Sequence, residues 1–448
     1  MNDGTLDPWH CYICQTTGYG WVHQYDSGNM DGFCEIYTSG QCKEYSFVQK
    51  SDVQPYFDIA TAYGFANYMF QTSEGPSFPA HQFLFTGTSA PVAPLQTNYL
   101  DFVAENASFP SSGCGQSTYE APWVDPTGTE GPGSVECYTH DSLVTNSAGE
   151  KGVSWRYYTP TAGVIWTAPA AIPEVCYGQN SLSQQGEPCS GTEWTSHISL
   201  PNVAVSNFGA PILTDIANCN LQKISWVIPD EIWSDHASLD NTQSPPYGPS
   251  WVGNIINAIG NSWSNSNHTC DYWGNNSNDT TAIFVVWDDW GGWFDHVTPP
   301  AVYRGTDNPP TCPNGVQENN WGCGYVYGFR VPLLVVSEYT KAGYVSGSCV
   351  TNCPQKVFPY VHDFGSILAF TENNFGLSPI DQSTDNGYAD RNAPDNVPPY
   401  VPLSDFFSLS NQHNFTSIST PYPASFFESY YHNNPSYSPT GPDGGDSD

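Results

Sequence analysis

One stretch of this chain collects the side chains of metal and phosphate chemistry: Trp287-Asp288-Asp289-Trp290-Gly291-Gly292-Trp293-Phe294-Asp295-His296. It follows the apolar run from Thr281 to Val286, so two adjacent carboxylates stand at the end of a buried segment, where like charges repel and desolvation is costly. A hard divalent cation removes that cost, which makes Asp288 and Asp289 candidate metal ligands. Gly291 and Gly292 let the backbone turn tightly toward a ligand, and Asp295-His296 sets a carboxylate beside an imidazole that could bind metal or phosphate. The competing reading is an acidic turn with a surface histidine.

Two further groupings carry reactive side chains. In Gln71-Thr-Ser-Glu-Gly-Pro-Ser77-Phe-Pro-Ala-His81, a hydroxyl sits at a turn near a helix start, where it can serve as a nucleophile on phosphorus if a metal or base activates it. A Ser in such a turn is also a common turn former or N-cap, and His81, tethered by Pro79, reads as structural. Pro229-Asp230-Glu-Ile-Trp-Ser234-Asp235-His236 follows another apolar run and repeats the Asp-His pairing. His10, in Asp7-Pro-Trp-His10, and His362 complete the set, with the neighbouring Asp363 read as a helix N-cap.

These residues need elements to hold them. Lys223 to Asp230, Thr281 to Asp289 and Arg330 to Ser337 are short continuous apolar runs, read as strands of a parallel sheet buried on both faces. Their C-terminal ends fall on one edge, which in open α/β sheets is where ligands bind. Helical periodicity marks Tyr56 to Phe70, Ser250 to Trp263 and Asp363 to Phe375. Strands alternating with helices indicate an α/β fold in layers. The stretches 110–152 and 177–196 lack periodicity and read as disulfide-pinned insertions, and the Ser-, Pro- and Asn-rich chain from Asn411 reads as a poorly ordered tail.

Composition narrows the function. Ten Lys and Arg against 44 Asp and Glu give a net charge of −34, which repels nucleic acid and anionic membrane surfaces. An anionic substrate therefore needs a local device to reverse that field, and a bound metal is the simplest one. Aromatics at 15% are ample to close a core. Fourteen Cys, several as close pairs such as Cys34/Cys42 and Cys312/Cys323, point to disulfides and export, although no signal peptide precedes them. Only Cys11-Tyr-Ile-Cys14 has the C-x-x-C form, too little for a zinc ribbon. No run of apolar residues is long enough for a transmembrane helix.

Collinear blocks carry a family resemblance. They are Asp7-Pro-Trp-His10, Gly28-Asn-Met-Asp-Gly-Phe33, Glu74-Gly-Pro-Ser77-Phe-Pro79, Ser154-Trp-Arg-Tyr-Tyr-Thr-Pro160, Pro229-Asp230 with Ser234-Asp235-His236, Asp288 to Pro300, Gly328-Phe-Arg-Val-Pro332 and Gly365-Ser-Ile-Leu368. Together they resemble the secreted phosphoesterase family of bacterial phospholipases C with its acid phosphatase branch. The resemblance implies an alkaline-phosphatase-like three-layer α/β/α sandwich that hydrolyses a phosphate ester or phospholipid at a divalent-metal centre of unknown metal. It implies Ser77 as nucleophile beside the metal, with Asp288 and Asp289 as acidic ligands. His236 and His296 fall at positions that serve the leaving group, and His10, Asp235 and Asp295 at positions that hold substrate. Ala80 and Asp289 depart from the family pattern, which has Asn and more often Glu there.

Members of that family also carry, before the region matching Asp7, a first strand ending in a Glu-Asn-Arg type motif. None precedes residue 7, so a catalytic domain over 1–410 is expected to be N-terminally incomplete. Two other readings follow: a truncated inactive homologue, or an extracellular disulfide-rich binding protein with sequons at Asn106, Asn267, Asn278 and Asn414.

Overall fold

The computed structural model describes residues 20–34, 45, 47–90, 102–106, 113–116, 120–124, 133–145, 153–236, 247–264, 270–274, 280–300, 327–347, 360–380, 388–396 and 399–439. The architecture is mixed α/β. The strands β1 (Gly64–Ala66), β2 (Trp155–Tyr158), β3 (Ile198–Ser199), β4 (Ile224–Val227), β5 (Ile283–Val286), β6 (Leu333–Val336) and β7 (Tyr344–Ser346) build two sheets, ordered β7-β1-β6-β5 and β3-β2-β4. Around them are α1 (Gln54–Ala62), α2 (Ser77–Thr86), α3 (Pro211–Ala217), α4 (Tyr247–Gly260), α5 (Phe364–Phe375) and α6 (Ala424–Asn433). Two small antiparallel ribbons, Phe102–Val103 with Trp123–Val124 and Glu120–Ala121 with Ser134–Val135, lie in the region before β2.

The three apolar runs do form strands, β4, β5 and β6, but not all in one direction. β2 pairs in parallel with β3 and β4, whereas β6 runs antiparallel to β5, with Leu333 opposite Val286 and Val336 opposite Ile283. A strand buried on both faces is apolar throughout whichever way its neighbour runs, so its pattern carries no direction.

Helices cover the β5–β6 sheet on both faces. Leu333, Val335, Phe284 and Val286 pack with Phe83 of α2 and Phe364 of α5. The alternate residues Leu334, Val336, Ile283 and Val285 pack with Ile59 of α1 and Ile256 of α4. The second sheet divides the same way: Trp155, Tyr157, Ile224 and Trp226 meet Phe85 of α2, while Tyr158 and Val227 meet Trp251 and Ile255 of α4 together with α3 and α6. This period-two sorting is what a sheet buried on both sides requires.

Local chemistry sets the helix ends. α5 begins at Asp363 as the sequence suggests, through a capping box in which Asp363 Oδ1 accepts from Ser366 N at 2.8 Å and Ser366 Oγ accepts from Asp363 N at 3.1 Å. The helix expected over Tyr56 to Phe70 stops at Ala62, because Gly64-Phe65-Ala66 enters the sheet between β6 and β7 as β1. Disulfides Cys114–Cys137, Cys176–Cys189 and Cys219–Cys270 are present, the first two packed together in a buried cluster with Tyr177, and no described cysteine is free. The first lies within the stretch 110–152 read as an insertion, and the second ties Cys189 of the stretch 177–196 to Cys176 in the helix just before it. Among the described residues no helix is long and apolar enough to cross a membrane.

From Asn411 to residue 439 the chain does not trail off. Phe427 and Tyr431 of α6 are buried against Trp233 and Trp251, and the hydroxyls of Tyr431 and Tyr437 donate to Asp230 at 2.9 and 2.5 Å. The aromatic face of α6 is embedded in a Ser-, Asn- and Pro-rich segment whose composition hides it.

Candidate active site

The acidic pair emerges directly after β5. Gly291 and Gly292 both have positive φ, +60° and +77°, the left-handed turn that the paired glycines suggest. That turn brings Gly291 N–H to Asp289 Oδ1 at 2.7 Å and leaves Asp289 Oδ2 to accept from Ser77 Oγ at 3.3 Å. Ser77 is buried at the first position of α2, after the extended Pro76, and Asn106 Oδ1 accepts from the next N–H, Phe78, at 2.8 Å. Asn106, one of the possible glycosylation acceptors, is thus buried and engaged in the folded chain.

One turn along α2, His81 Nε2 lies 3.2 Å from Asp288 Oδ2. Burial alone would push the Asp288 carboxyl up. Hydrogen bonding and charge from His81, with a hydrogen bond from Ser77, outweigh it and hold Asp288 down at about 2. Ser77, His81, Asp288 and Asp289 thus form one group joining the start of α2 to the end of β5. His81, which its sequence setting marks as structural, belongs to the site.

The opposite wall comes from the loop after β4. Asp235 has φ +67°, an uncommon conformation for a non-glycine residue and of the kind that concentrates at functional sites. Its Oδ2 accepts from Tyr56 Oη at 2.6 Å. A Cβ at Gly248 would overlap the Asp235 carboxylate, so a larger residue there would displace it. The side chain is exposed on the cleft wall, yet desolvation by the protein around it pushes its carboxyl up to about 6, against the opposing hydrogen bond from Tyr56. His236 stands half-buried beside it, its ring 5.8 Å from that of Trp166.

Asp235, His236, His81, Asp288, Asp289, Tyr56 and Trp287 all line one cleft of about 1620 Å³. Ser77, buried behind Asp289, is not among the lining residues, and the remaining described candidates lie elsewhere. Asp295 is clamped by Arg330, with Nε to Oδ2 at 2.9 Å and Nη2 to Oδ1 at 2.7 Å, and takes a third bond from Val297 N–H. The His296 side chain is 76% exposed, and neither it nor Asp295 lines the cleft. His10 lies outside the described residues. Asp230 faces the C-terminal segment. His362 is fully buried between Ser346 Oγ (2.8 Å) and Asp395 Oδ2 (2.7 Å), a Ser-His-Asp row with no access for a substrate.

For a cation, the chain offers two carboxylates, Asp288 and Asp289, and the Ser77 hydroxyl: hard oxygen donors of the kind that divalent ions such as Mg²⁺ or Ca²⁺ prefer. The set is partial, because among the described residues no group of three or more His, Cys, Asp or Glu side chains is placed to hold a metal.

The fold and the site define an α/β protein whose acidic strand-end loop lines an open cleft and meets a buried helix-start hydroxyl behind it, an arrangement suited to hydrolytic chemistry on an anionic ester. The chain belongs to the Phosphoesterase family, whose model matches residues 4–378. It is similar to the non-hemolytic phospholipase C of Burkholderia pseudomallei, 27% identical over 61% of this chain and 38% of that one. It is also similar to phospholipase C B of Mycobacterium tuberculosis, 28% identical over 49% and 39%. The non-hemolytic phospholipase C of Pseudomonas aeruginosa is 22% identical over 79% and 43%. The chain therefore spans about two-fifths of the length of the curated relatives it matches.

Proposed function

We propose that the chain hydrolyses phosphate esters, with Ser77 Oγ as nucleophile on phosphorus and Asp288 and Asp289 as ligands of a divalent cation. The contact that carries this reading is Ser77 Oγ to Asp289 Oδ2 at 3.3 Å, in a member of the Phosphoesterase family. When bound, the cation supplies charge neutralisation at the phosphoryl oxygens and favours the ionised hydroxyl. The protein's own groups do the rest. Asp289 orients the Ser77 hydroxyl, and the positive end of the α2 dipole favours negative charge at that oxygen. His81 holds Asp288 in place. Asp235, pushed up to about 6, carries a proton in mildly acidic solution, and with His236 it serves the leaving oxygen.

The names of the relatives favour a phospholipase C-like diester over a monoester. In the same reading the fold is an alkaline-phosphatase-like sandwich, supported by helices on both faces of the β5–β6 sheet. Export fits the disulfides and the absence of a free cysteine among the described residues.

Assay of p-nitrophenyl phosphate and bis(p-nitrophenyl) phosphate with added divalent metals tests the proposal and separates the two ester classes. Turnover by the wild type, lost in Ser77→Ala with an unchanged circular dichroism spectrum, is expected. Full activity in Ser77→Ala removes Ser77 as nucleophile, and a metal-free, inert wild type favours a binding protein.

A further inference from the structure

Ser77 and the acidic pair arrive from different strands, and their 3.3 Å contact requires the two segments to be held in register. β1 and β5 both run antiparallel to β6, which lies between them. Their C-terminal ends therefore leave the sheet at the edge where β6 enters it. The chain after β1 leads through residues 67–76 to Ser77, and the chain after β5 is the acidic loop. Residues 328–331, just before β6, bond to both. Toward Ser77 the bonding is by backbone: Val331 N–H donates to the Met69 carbonyl at 3.0 Å, Gln71 N–H to that of Phe329 at 3.1 Å, and Gly328 N–H to that of Gln71 at 2.9 Å. Gln71 Nε2 donates onward to the Gly75 carbonyl, and Thr72 Oγ1 accepts from Phe364 N–H at 2.8 Å, so the ladder runs into a braced turn that ends at Ser77.

Toward the acidic loop the same segment offers side chains. Phe329 meets Trp290 edge to face, with ring centres 5.4 Å apart. Arg330 takes Asp295 on three donors, its backbone N–H at 3.2 Å and Nε at 2.9 Å to Oδ2, and Nη2 at 2.7 Å to Oδ1. The third guanidinium nitrogen, Nη1, donates to the Asn67 carbonyl at 3.0 Å. One guanidinium thus spans the acidic loop and the approach to Ser77. Both oxygens of the buried Asp295 are occupied, Oδ1 also by Val297 N–H, which leaves that carboxylate a holder of the loop and not of substrate.

The planar fork matters here as much as the charge. A guanidinium engages both carboxylate oxygens and a carbonyl in fixed directions, which an ammonium on a flexible stem does not reproduce. We infer that Arg330 is a positioning residue: through Asp295 it holds the acidic loop so that Asp289 stays within reach of the Ser77 hydroxyl, and it does so by the shape of its fork. Arg330 also lines the cleft, so a direct contact with substrate is the rival role that the kinetics must separate. The catalytic part of this inference rests on the hydrolysis proposed above; the ordering of the loop does not.

Arg330→Lys, which keeps the charge and loses the fork, Asp295→Asn, which keeps the size and loses the charge, and their combination test this in the full chain. The first readout is residue-resolved amide exchange and needs no turnover. It follows Gly291 N–H, bonded to Asp289 Oδ1, and Trp293 N–H, bonded to the Trp290 carbonyl, with Ile256 in the middle of α4 reporting global opening. Exchange at Gly291 and Trp293 is expected to quicken about tenfold in each variant, the worth of one hydrogen bond, while Ile256 changes little. The second readout is steady-state hydrolysis of bis(p-nitrophenyl) phosphate. In Arg330→Lys kcat should fall about a hundredfold, the cost of misplacing reacting groups by about an ångström, with KM little changed. The double variant should lose no more than the single ones, because both break one clamp. Unchanged exchange at Gly291 and Trp293, or equal quickening at Ile256, overturns the inference. So does full activity in Arg330→Lys, which makes the charge sufficient, or a raised KM with kcat intact, which makes Arg330 a substrate contact. Quickened exchange in the variants of a wild type that turns nothing over removes the hydrolysis and leaves the clamp standing.

Discussion

Tyr56 and Asp235, 179 positions apart in sequence, are joined by a 2.6 Å hydrogen bond that fixes the carboxylate on the cleft wall. The hydroxyl stabilises the ionised carboxyl and partly offsets its desolvation. Burial and the adjacent Asp235 charge in turn hold the Tyr56 phenol well above its ordinary value, so the tyrosine donates at every working pH. If Asp235 is the proton carrier for the leaving group, it acts while protonated, and activity falls as pH rises through about 6. Tyr56→Phe removes the bond that favours the charged form, so the alkaline limb of the kcat/KM profile moves to higher pH. An unmoved limb would exclude Asp235 from that role.

Asp289 offers a different test, read by metal content. With Oδ1 tied to Gly291 N–H, its Oδ2 is the oxygen turned toward Ser77. Asp289→Asn keeps the shape and removes one negative charge from a two-carboxylate set. Bound divalent metal, measured by elemental analysis after dialysis, should fall at least about tenfold, since a hard cation depends on carboxylate charge. Wild-type metal content in Asp289→Asn would place the cation elsewhere.

A third prediction concerns stability. Glu372 of α5 and Asp390 both accept from Ile380 N–H, at 3.1 Å each, which sets two carboxyls side by side in the interior. Burial, reinforced for Glu372 by the Asp390 charge, pushes Glu372 up to about 10; burial pushes Asp390 up to about 6. Raised folded-state values mean that the native chain holds protons which the unfolded chain releases. The stabilisation is complete below the unfolded carboxyl range and declines as pH rises through about 6 and toward 10. Glu372→Gln mimics the protonated acid and should flatten that decline, stabilising the protein at pH 8 relative to wild type by about 1–3 kcal/mol. Urea midpoints at pH 5 and pH 8 measure it, and an identical pH dependence in both proteins would rule out the pair as the cause.

Legibility followed distance along the chain. The three strands, the acidic loop after β5, the glycine turn and the Asp363 cap are local patterns, and they stand close to where the residues place them. Ser77 was legible as a hydroxyl at a helix start for the same reason. The pairings Tyr56 with Asp235 and His81 with Asp288 were not, because nothing local marks which distant side chains a fold brings together. Asp295-His296 shows the converse. The adjacent pair suggests one shared role, yet Arg330 engages the carboxylate while the imidazole turns to solvent. Strand direction was hidden because apolar residues on both faces suit either orientation.

The C-terminal segment gives the last prediction. Phe427 is fully buried, its ring 5.4 Å from that of Trp233 and 5.3 Å from that of Trp251, and Trp233 lies in the short turn between Asp230 and Asp235. α6 therefore packs against the loop that carries one wall of the cleft, through the same aromatic cluster that steadies α4. Phe427→Ala removes a buried ring from that cluster and should cost about 3–5 kcal/mol, visible as a lower denaturant midpoint. The same loss loosens the support of Asp235, so KM for a phosphate ester should rise before the global unfolding transition is reached. Had the segment from Asn411 been a disordered tail, Phe427→Ala would be nearly neutral in both measurements, and that outcome would return it to the status its composition suggests.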